Sequence, residues 1–266
     1  MKNIALGRYI PLNTPFHRLD PRAKILAMFI TLIAVFFPAG FIGYGIIGAV
    51  VLGCIFAAGL KLDFLIKAMK PMVFMLVFLL VVNILVIKTG DILFSIGSFA
   101  VHIDAITQTL YITVRLALMI MITTLLTATT KPLDLTLGIE FLLTPFRKVG
   151  FPAHEIAMMI SIALRFIPTL IEETDRIMKA QTSRGVDVEE GNLKEKIMAI
   201  LSLIVPLFVS AFQKAEDLAN AMEARGYNPS AKRTRYKVLK WRMSDSAIVV
   251  GSLVICVACG MVAFVL

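Results

Sequence analysis

The amino-acid sequence predicts an all-α polytopic membrane protein with about five transmembrane helices and a polar domain of amphipathic helices. Of the 266 residues, 58% are hydrophobic and 17% are charged, and the mean hydropathy is +0.85, which is typical of an integral membrane protein. Of the 27 Lys and Arg residues, 25 fall within residues 1–24, 61–70 and 131–242. Short segments rich in these residues stay in the cytoplasm. The formal net charge of +9 therefore indicates membrane orientation and not nucleic-acid binding.

The first two predicted spans lie within residues 25–60, which contain no Asp, Glu, Lys or Arg. Asp20 is placed to cap the first helix and Pro21 to occupy its first position, so this helix begins at the cytoplasmic surface. It runs to Phe37, after which the chain turns and returns through residues 41–60. The second span has a face of small residues at every fourth position, Gly45, Ala49, Gly53 and Ala57. Packing within the chain is the favoured interpretation of this face, and contact with another membrane protein is the alternative.

The third and fourth predicted spans are residues 71–87 and about 105–128, and a short basic loop at 61–70 precedes them. Their connection, 88–104, carries two aspartates and one lysine, which fits the outer side of the membrane. Arg115 lies near the middle of the fourth span. A charge at that depth costs about 2.5–3.5 kcal/mol on insertion scales, so Arg115 is expected to face protein or water and to have a partner.

The polar domain contains two apolar runs, 156–171 and 197–212, that could be mistaken for spans. Each has only 16 residues and contains a proline, Pro168 or Pro206, which disfavours a crossing. If both runs crossed, the basic residues between them would lie outside, against the positive-inside rule. We therefore expect helices that lie under the membrane domain and bury one face against it.

The last predicted span is 247–266, which Ser244 and Asp245 are placed to cap. Six Lys or Arg residues and a tryptophan precede it within 231–242 and are typical of a juxtamembrane anchor. The predicted domains are a membrane domain at 1–130 with four spans, a cytoplasmic domain at 131–243, and a fifth span at 244–266. Five spans place the N-terminus in the cytoplasm and the C-terminus outside.

Two helices of the polar domain are predicted to end alike, in Ser183-Arg184-Gly185 and Ala224-Arg225-Gly226. Glycine after a run of helix formers ends a helix, because it enters the left-handed conformation without a Cβ penalty. A single basic residue in such a turn commonly does no more than complement the helix dipole, which contributes about 0.3–1 kcal/mol. Repetition of the whole pattern instead indicates a partner with two similar sockets. A planar guanidinium suits a carboxylate in such a socket.

Several classes of active site lack the residues that they need. The sequence has no Gly-Lys pair, and so no phosphate-binding loop of that type, and it has no His-Glu-x-x-His zinc pattern. Cys256 and Cys259 lie in an apolar run without further metal ligands. Apart from Arg115, the predicted spans lack the ionisable groups of a proton relay or an ion-coupled substrate site. We therefore expect no catalytic residues, no metal site and no cofactor.

A family resemblance extends over nearly the whole chain. The residues that carry it are 17–24, the linker 144–155, the run 164–168 and the two Arg-Gly ends. They resemble the transmembrane T component of energy-coupling factor transporters, whose most specific motifs are two Ala-Arg-Gly sequences. The first of these has serine for alanine in this chain, which is a small change.

The resemblance implies a non-catalytic coupling subunit of a vitamin or trace-nutrient importer of the ATP-binding-cassette superfamily, in the plasma membrane of a prokaryote. Its implied partners are two ATPase subunits, whose grooves receive the ends of cytoplasmic coupling helices, and a substrate-binding S component that topples in the membrane to release its substrate. Ser183, Arg184 and Gly185, with Ala224, Arg225 and Gly226, are then the docking residues, and both arginines meet acidic residues of the ATPases. The small-residue face and Arg115 serve helix packing or contact with the S component.

Two other classes of transporter are the alternatives. A conventional ATP-binding-cassette permease has its own translocation pathway and usually one coupling loop per subunit, whereas this chain has two arginine ends. An autonomous secondary transporter needs inverted repeats or interrupted helices with polar groups at the midplane, and the sequence shows neither.

Overall fold

The computed structural model of the chain describes residues 9–96, 99–186, 192–228 and 238–265. These ranges contain eight α-helices: α1 (Pro21–Phe36), α2 (Gly40–Ala57), α3 (Leu62–Val86), α4 (Ile103–Thr129), α5 (Pro132–Leu143), α6 (Ala153–Ser183), α7 (Leu193–Ala224) and α8 (Met243–Val265). An antiparallel hairpin of β1 (Ile92–Ile96) and β2 (Phe99–His102) connects α3 to α4, and a 3-10 helix (Thr144–Val149) connects α5 to α6. The predicted all-α class is confirmed, with this hairpin as an addition.

The chain divides into two compact units. Unit 1 comprises Met1–Leu142 and Leu239–Leu266, and unit 2 comprises Leu143–Val238. Unit 1 therefore includes residues 131–142, which the sequence analysis placed in the polar domain. The reason is the close approach of α5 to α1, where a Cβ on Gly138 would come within 2.8 Å of the Ile25 side chain.

The core of unit 1 forms around one face of α2. Tyr44, Ile47, Val51 and Ile55 recur at helical spacing on this face and are buried. They belong to an apolar cluster that includes Val35 of α1, Leu118 and Ile122 of α4, and Cys259 of α8. Helix α1 packs along α8 and α4, and α3 packs along α4. This face of α2 is therefore buried in the core, whereas other large apolar side chains of the helix, such as Ile42 and Phe56, are exposed.

The start of α1 is as predicted. Asp20 is its N-cap and accepts a hydrogen bond from the Arg22 backbone N–H at 2.9 Å, and Pro21 occupies the first helical position. The helix ends at Phe36, one residue before the predicted end. Its 16 residues extend about 24 Å, which is shorter than a hydrocarbon core of about 30 Å.

Six helices within the described ranges, α2, α3, α4, α6, α7 and α8, are long and apolar enough to cross a membrane. The expectation that the runs 156–171 and 197–212 are too short is therefore wrong. They belong to continuous helices of 31 and 32 residues that pass through Pro168 and Pro206. A proline removes one backbone hydrogen bond, and the packing of α6 against α7 holds the helices together across it. Their length therefore allows α6 and α7 to cross a membrane. The argument against a crossing is the set of basic residues between the two apolar runs, which would then lie outside.

Two further expectations about helix starts are wrong. Residues 61–70 are not a loop, because α3 begins at Leu62. Asp63 lies in its first turn, where the helix dipole favours a carboxylate, and it pairs with Lys67 at 2.7 Å. Helix α8 begins at Met243, so Asp245 lies inside the first turn and does not precede it.

The segment before α1 is fixed to unit 1 by hydrogen bonds around His17. The His17 Nε2 atom lies 3.1 Å from the Ile10 carbonyl oxygen, and Nδ1 lies 2.7 Å from the Thr14 hydroxyl. The Ile10 backbone N–H donates to the Ala128 carbonyl at 3.0 Å. A neutral imidazole that donates from Nε2 and accepts at Nδ1 satisfies both contacts.

We expect acidification from about pH 7.5 to about pH 5.5 to destabilise the protein partly through His17. Burial holds the pKa of His17 below its ordinary value of 6.5, and the nearby positive charge of Lys24 acts in the same direction. Between pH 6.5 and the lower folded-state pKa, the unfolded chain binds a proton that the folded chain does not. The stability that this group contributes above pH 6.5 is therefore lost as the pH falls through that window.

The measurement is the thermal unfolding midpoint in detergent at both pH values. His17→Gln does not titrate, so its midpoint should fall less than that of the unchanged protein. Equal falls in the two proteins would contradict a contribution from His17.

Candidate docking site: two arginine helix ends

Helices α6 and α7 form an antiparallel pair in unit 2. Near the end of α6, Gln181 Nε2 donates to the Ser202 carbonyl of α7 at 3.2 Å. Earlier on α6, Glu173 Oε2 lies 3.2 Å from Lys214 Nζ, and near its start Met158 Sδ lies 3.3 Å from the Tyr227 hydroxyl. The partners on α7 come later in the chain as those on α6 come earlier, so the two helices are antiparallel. Phe166 and Leu170 of α6 and Ala215 and Leu218 of α7 line a cavity of about 270 Å³ between the two helices. The pair is held along most of its length.

The antiparallel arrangement places the two arginine ends far apart. The end of α7 lies beside Met158, near the start of α6, whereas Arg184 follows the last residue of α6. The rise from Met158 to Ser183 is about 38 Å at 1.5 Å per residue. The two ends therefore project from opposite ends of one helix pair, about 40 Å apart.

Both ends have the same backbone geometry. Arg184 and Arg225 are the C-caps of α6 and α7, and the glycines that follow have left-handed φ angles of +84° and +69°. At the first end, the Gly185 N–H donates to Thr182 O at 3.0 Å and the Val186 N–H donates to Gln181 O at 3.1 Å. At the second, the Gly226 N–H donates to Glu223 O at 2.8 Å and the Tyr227 N–H donates to Met222 O at 3.0 Å. Each end is a Schellman motif, and the predicted role of glycine is confirmed.

The side chains of Arg184 and Arg225 are exposed, and neither makes a hydrogen bond or an ion pair with the described residues. Ser183 and Ala224, which precede them, are also exposed and small. Each guanidinium sits at the negative end of a helix dipole, which favours its charge. Each guanidinium is therefore free to donate two parallel hydrogen bonds to a carboxylate.

Helix α7 also exposes an apolar face in its first half. Ile197, Leu201, Ile204 and Phe208 recur at helical spacing, and their exposed fractions range from 45% to 62%. A face of this kind on a soluble surface is costly, since about 25 cal/mol is associated with each Å² of apolar area left in water. The expectation that this face is buried against the membrane domain stays a prediction.

Arg115 has a partner that the sequence analysis did not identify. Its Nε donates to the Tyr44 hydroxyl at 2.7 Å, and its guanidinium carbon lies 5.4 Å from the centre of the Tyr111 ring and 5.8 Å from that of Phe36. Tyr111 lies four residues earlier on α4, so its position was available from helical spacing. Tyr44 lies on α2, 71 residues away. Arg115 therefore links α1, α2 and α4 of unit 1.

The small-residue face of α2 points away from the core. Gly45, Ala49, Gly53 and Ala57 are exposed, and a Cβ added at Gly45 or Gly53 would meet no atom within 4 Å. The favoured expectation that this face packs within the chain does not hold for the described residues. Another face of α2, which carries Ile47, Val51 and Ile55, is the one that is buried.

The sequence analysis also missed a buried polar cluster where α1 and α8 begin. One carboxylate oxygen of Asp245 accepts from the Asp20 backbone N–H at 2.8 Å, and the other accepts from the Arg242 backbone N–H at 2.7 Å. The Lys24 ammonium donates to the Thr129 carbonyl at 3.0 Å. These residues are close in space but up to 225 positions apart in the chain, so only the fold could bring them together.

Metal ligands are not gathered in the described part of the chain, where no group of three or more His, Cys, Asp or Glu residues could hold a metal ion. Cys54, Cys256 and Cys259 are free thiols within α2 and α8.

Comparison with known proteins identifies the family. A family model described as "Cobalt transport protein" (CbiQ) matches residues 13–236. The "Energy-coupling factor transporter transmembrane protein EcfT" of Bacillus subtilis is 44% identical over 255 residues, which cover 96% of this chain and 96% of that protein. Proteins of the same name from Listeria innocua and Lactococcus lactis subsp. cremoris are 42% and 38% identical, over 94% and 96% of this chain and of each relative. The chain therefore belongs to the CbiQ family and is similar throughout to the transmembrane T components of energy-coupling factor transporters, the family that its own motifs resemble.

Proposed function

We propose that this chain links ATP hydrolysis by two ATP-binding-cassette ATPase subunits to the movement of a separate S component that carries a vitamin or trace nutrient. The observation that carries the proposal is the pair of matched, exposed arginine ends on α6 and α7. Each end would dock in a groove of one ATPase, with Arg184 or Arg225 paired to a carboxylate. The chain itself would have no catalytic role.

The separation of the ends supports two sockets on two subunits. A globular subunit of about 250 residues has a radius of gyration near 18 Å, so two such subunits in contact have centres roughly 45 Å apart. The two ends are separated by about 40 Å along α6. One end per ATPase fits this spacing.

The contacts between α6 and α7 suit the transmission of movement. Glu173 and Lys214 join the helices in their middle at 3.2 Å, and both side chains are largely shielded from solvent. Gln181 and Ser202 join them near one end. A pair joined at several levels moves as one body, so a displacement of either socket would reach the other.

Two exposed surfaces are candidates for contact with the S component. The first is the face of Gly45, Ala49, Gly53 and Ala57, which would allow close approach of another membrane helix. The second is the exposed apolar face in the first half of α7. Arg115 serves helix packing in this proposal, because Tyr44 already accepts its hydrogen bond.

The experiment is purification of the tagged chain from its native membranes in a mild detergent, followed by identification of the proteins that copurify. ATP hydrolysis and nutrient binding are then measured for the complex and for the isolated chain. We expect ATP-binding-cassette ATPases and a small membrane protein to copurify, and ATP hydrolysis only in the complex. Recovery of the chain without ATPases, or micromolar binding of a nutrient by the chain alone, would contradict the proposal.

The proposed topology has five spans, with the N-terminus inside, the C-terminus outside, and α6 and α7 on the cytoplasmic side. Single cysteines are introduced into a chain that lacks Cys54, Cys256 and Cys259. Cysteines at Ser98 and Leu266, which both lie outside the described residues, should react with an impermeant thiol reagent in intact cells. A cysteine at Asn192, between α6 and α7, should react only after the cells are opened.

Labelling at Asn192 from outside would show that α6 and α7 cross the membrane. Asn192 is the decisive position because crossings by both α6 and α7 would leave the C-terminus on the side where five spans place it. Only the connection between the two helices changes sides.

A further inference from the structure

Unit 1 contains an apolar cavity of about 230 Å³ between α1, α2, α4 and α8. Its walls include Met28 of α1, Val51 of α2, Leu125 of α4 and Ile255 of α8. Val50, which also lines it, is 39% exposed, so the cavity reaches the outer surface of the helices beside α2. The cavity is therefore accessible from the side of the helix bundle.

The polar groups of the cavity wall are already satisfied. The Thr31 hydroxyl donates to the Ala27 carbonyl at 2.7 Å, and the Ser252 hydroxyl donates to the Val249 carbonyl at 2.8 Å. The Lys24 ammonium donates to carbonyl oxygens outside the cavity wall, at Thr129 and His17. Most of the cavity wall is apolar, and the hydroxyl protons of Thr31 and Ser252 are already used, so the cavity favours an apolar occupant.

A second, wider groove of about 570 Å³ lies where α1 and α8 begin. Its lining includes Asn13, Ser244 and the guanidinium-bearing side chains of Arg18 and Arg242. Both arginines are exposed, and neither forms an ion pair within the described residues. Arg18 only contacts the Asn13 side-chain oxygen at 3.5 Å. The groove thus has two guanidinium groups without an ion-pair partner among the described residues.

The groove and the cavity adjoin, because Phe16 and Ile248 line both of them. From the groove the cavity extends along α1 from Lys24 to Thr31 and along α8 from Ile248 to Ile255, about 10 Å on each helix. This length is about two thirds of the thickness of one leaflet of the hydrocarbon core. Trp241, at the same end of α8, is exposed and has the position of an interfacial anchor.

We infer that the groove and the cavity together bind one anionic glycerophospholipid. The phosphate and headgroup lie between Arg18 and Arg242, and part of one acyl chain enters the slot between α2 and α8. The inference is independent of the proposed coupling function, because it uses only residues of unit 1. The bound lipid joins the segment before α1 to the start of α8.

The test uses the full-length chain, stripped of lipid in detergent, and native mass spectrometry with phosphatidylglycerol and phosphatidylcholine of identical acyl chains. Phosphatidylglycerol should bind more tightly. Each arginine near a lipid surface is associated with about a fivefold change in affinity, so R18Q combined with R242Q should weaken phosphatidylglycerol binding about 30-fold and bring it to the level of phosphatidylcholine.

A second variant tests the acyl-chain slot. A Cβ on Gly251, which lines the cavity, meets no atom within 4 Å, so Gly251→Leu fills the slot without a clash at its Cβ. Binding of phosphatidylglycerol should fall at least tenfold. Gly260 on the same helix also has open space at its Cβ but does not line the cavity, so Gly260→Leu should bind as the unchanged protein does.

Three results would overturn the inference. They are equal affinity of the unchanged protein for the two lipids, full retention of phosphatidylglycerol by Gly251→Leu, and displacement of the lipid by millimolar inorganic phosphate, which would indicate a site for a free anion. The comparison of the two lipids needs no variant, so it decides the matter even where a variant fails to fold. A thermal unfolding midpoint for each variant accompanies the binding data.

Discussion

The variant that carries both Arg184→Glu and Arg225→Glu is expected to lose ATPase assembly and transport while its membrane insertion stays normal. Both guanidinium groups are exposed and unpaired within the described residues, so their removal leaves the helix pair itself intact. In a partly desolvated groove, loss of one arginine strands the carboxylate of the partner and costs about 2–5 kcal/mol. This is a loss of roughly 30-fold to several-thousand-fold in affinity at one socket.

The free-energy cost of losing one arginine distinguishes a docking role from a simple helix cap. Complementation of the helix dipole contributes at most about 1 kcal/mol, and its loss would appear in helix stability and not in assembly. Both ends act on one pair of ATPases, so the two losses should not simply add. Binding of the purified ATPases to each single variant and to the double variant measures the effect.

Two control variants refine this prediction. Lys179→Glu makes the same change of charge on an exposed side chain about one turn before Arg184, and it should leave assembly nearly unchanged. Arg184→Lys keeps the charge but loses the planar fork, and it should give an intermediate loss. Equal effects of Arg184→Glu and Lys179→Glu would indicate a general charge effect and not a socket.

Asp245→Ala is expected to cause a large loss of stability in unit 1. Asp245 is 1% exposed, and its two oxygens accept the backbone N–H groups that begin α1 and α8, at 2.8 Å and 2.7 Å. Alanine leaves both donors without an acceptor and removes a negative charge from the start of α8. Hydrogen bonds to charged groups contribute about 1.5–3 kcal/mol each, so the expected cost of losing two is about 3–6 kcal/mol.

The thermal unfolding midpoint and the yield of folded protein in detergent test this prediction. Asp245→Asn keeps one acceptor oxygen and should lose about half as much stability. Asp63→Ala is the matched control, because Asp63 also lies in the first turn of a helix but is 70% exposed and pairs with an exposed Lys67. It should cost at most about 0.5 kcal/mol. A similar loss for the two alanine variants would contradict the role assigned to Asp245.

Features set by local sequence were predictable in this chain. The Asp20 cap, the proline at the first position of α1 and the glycine-terminated ends of α6 and α7 all depend on a few neighbouring residues, and the structure confirms them. The starts of α3 and α8 are local features that the sequence analysis placed wrongly, although Asp63 and Asp245 mark their first turns. The other failures concern non-local packing. Helices α6 and α7 pass through Pro168 and Pro206 because each helix supports the other, which a proline rule applied to one segment does not include.

The candidate site residues divide in the same way. Spacing identified a small-residue face on α2 but not its direction, because large apolar residues such as Ile46 and Phe56 lie beside that face and are exposed with it. The hydrogen bond from Arg115 to Tyr44 and that from the Asp20 N–H to Asp245 join residues 71 and 225 positions apart, so the fold had to be known first. The docking role of the arginine ends depends on a partner, and neither the sequence nor the geometry of one chain contains it.

Exchange of charge across the interface tests the central proposal most directly. Arg184→Glu or Arg225→Glu is combined with an acid-to-arginine change in the matching groove of the ATPase, and ATP-driven uptake is measured in reconstituted vesicles. The proposal predicts that each single change abolishes or strongly reduces uptake and that the matched pair restores it, whereas a mismatched pair does not. Normal assembly and uptake by the double glutamate variant would show that Arg184 and Arg225 are helix ends without a docking role.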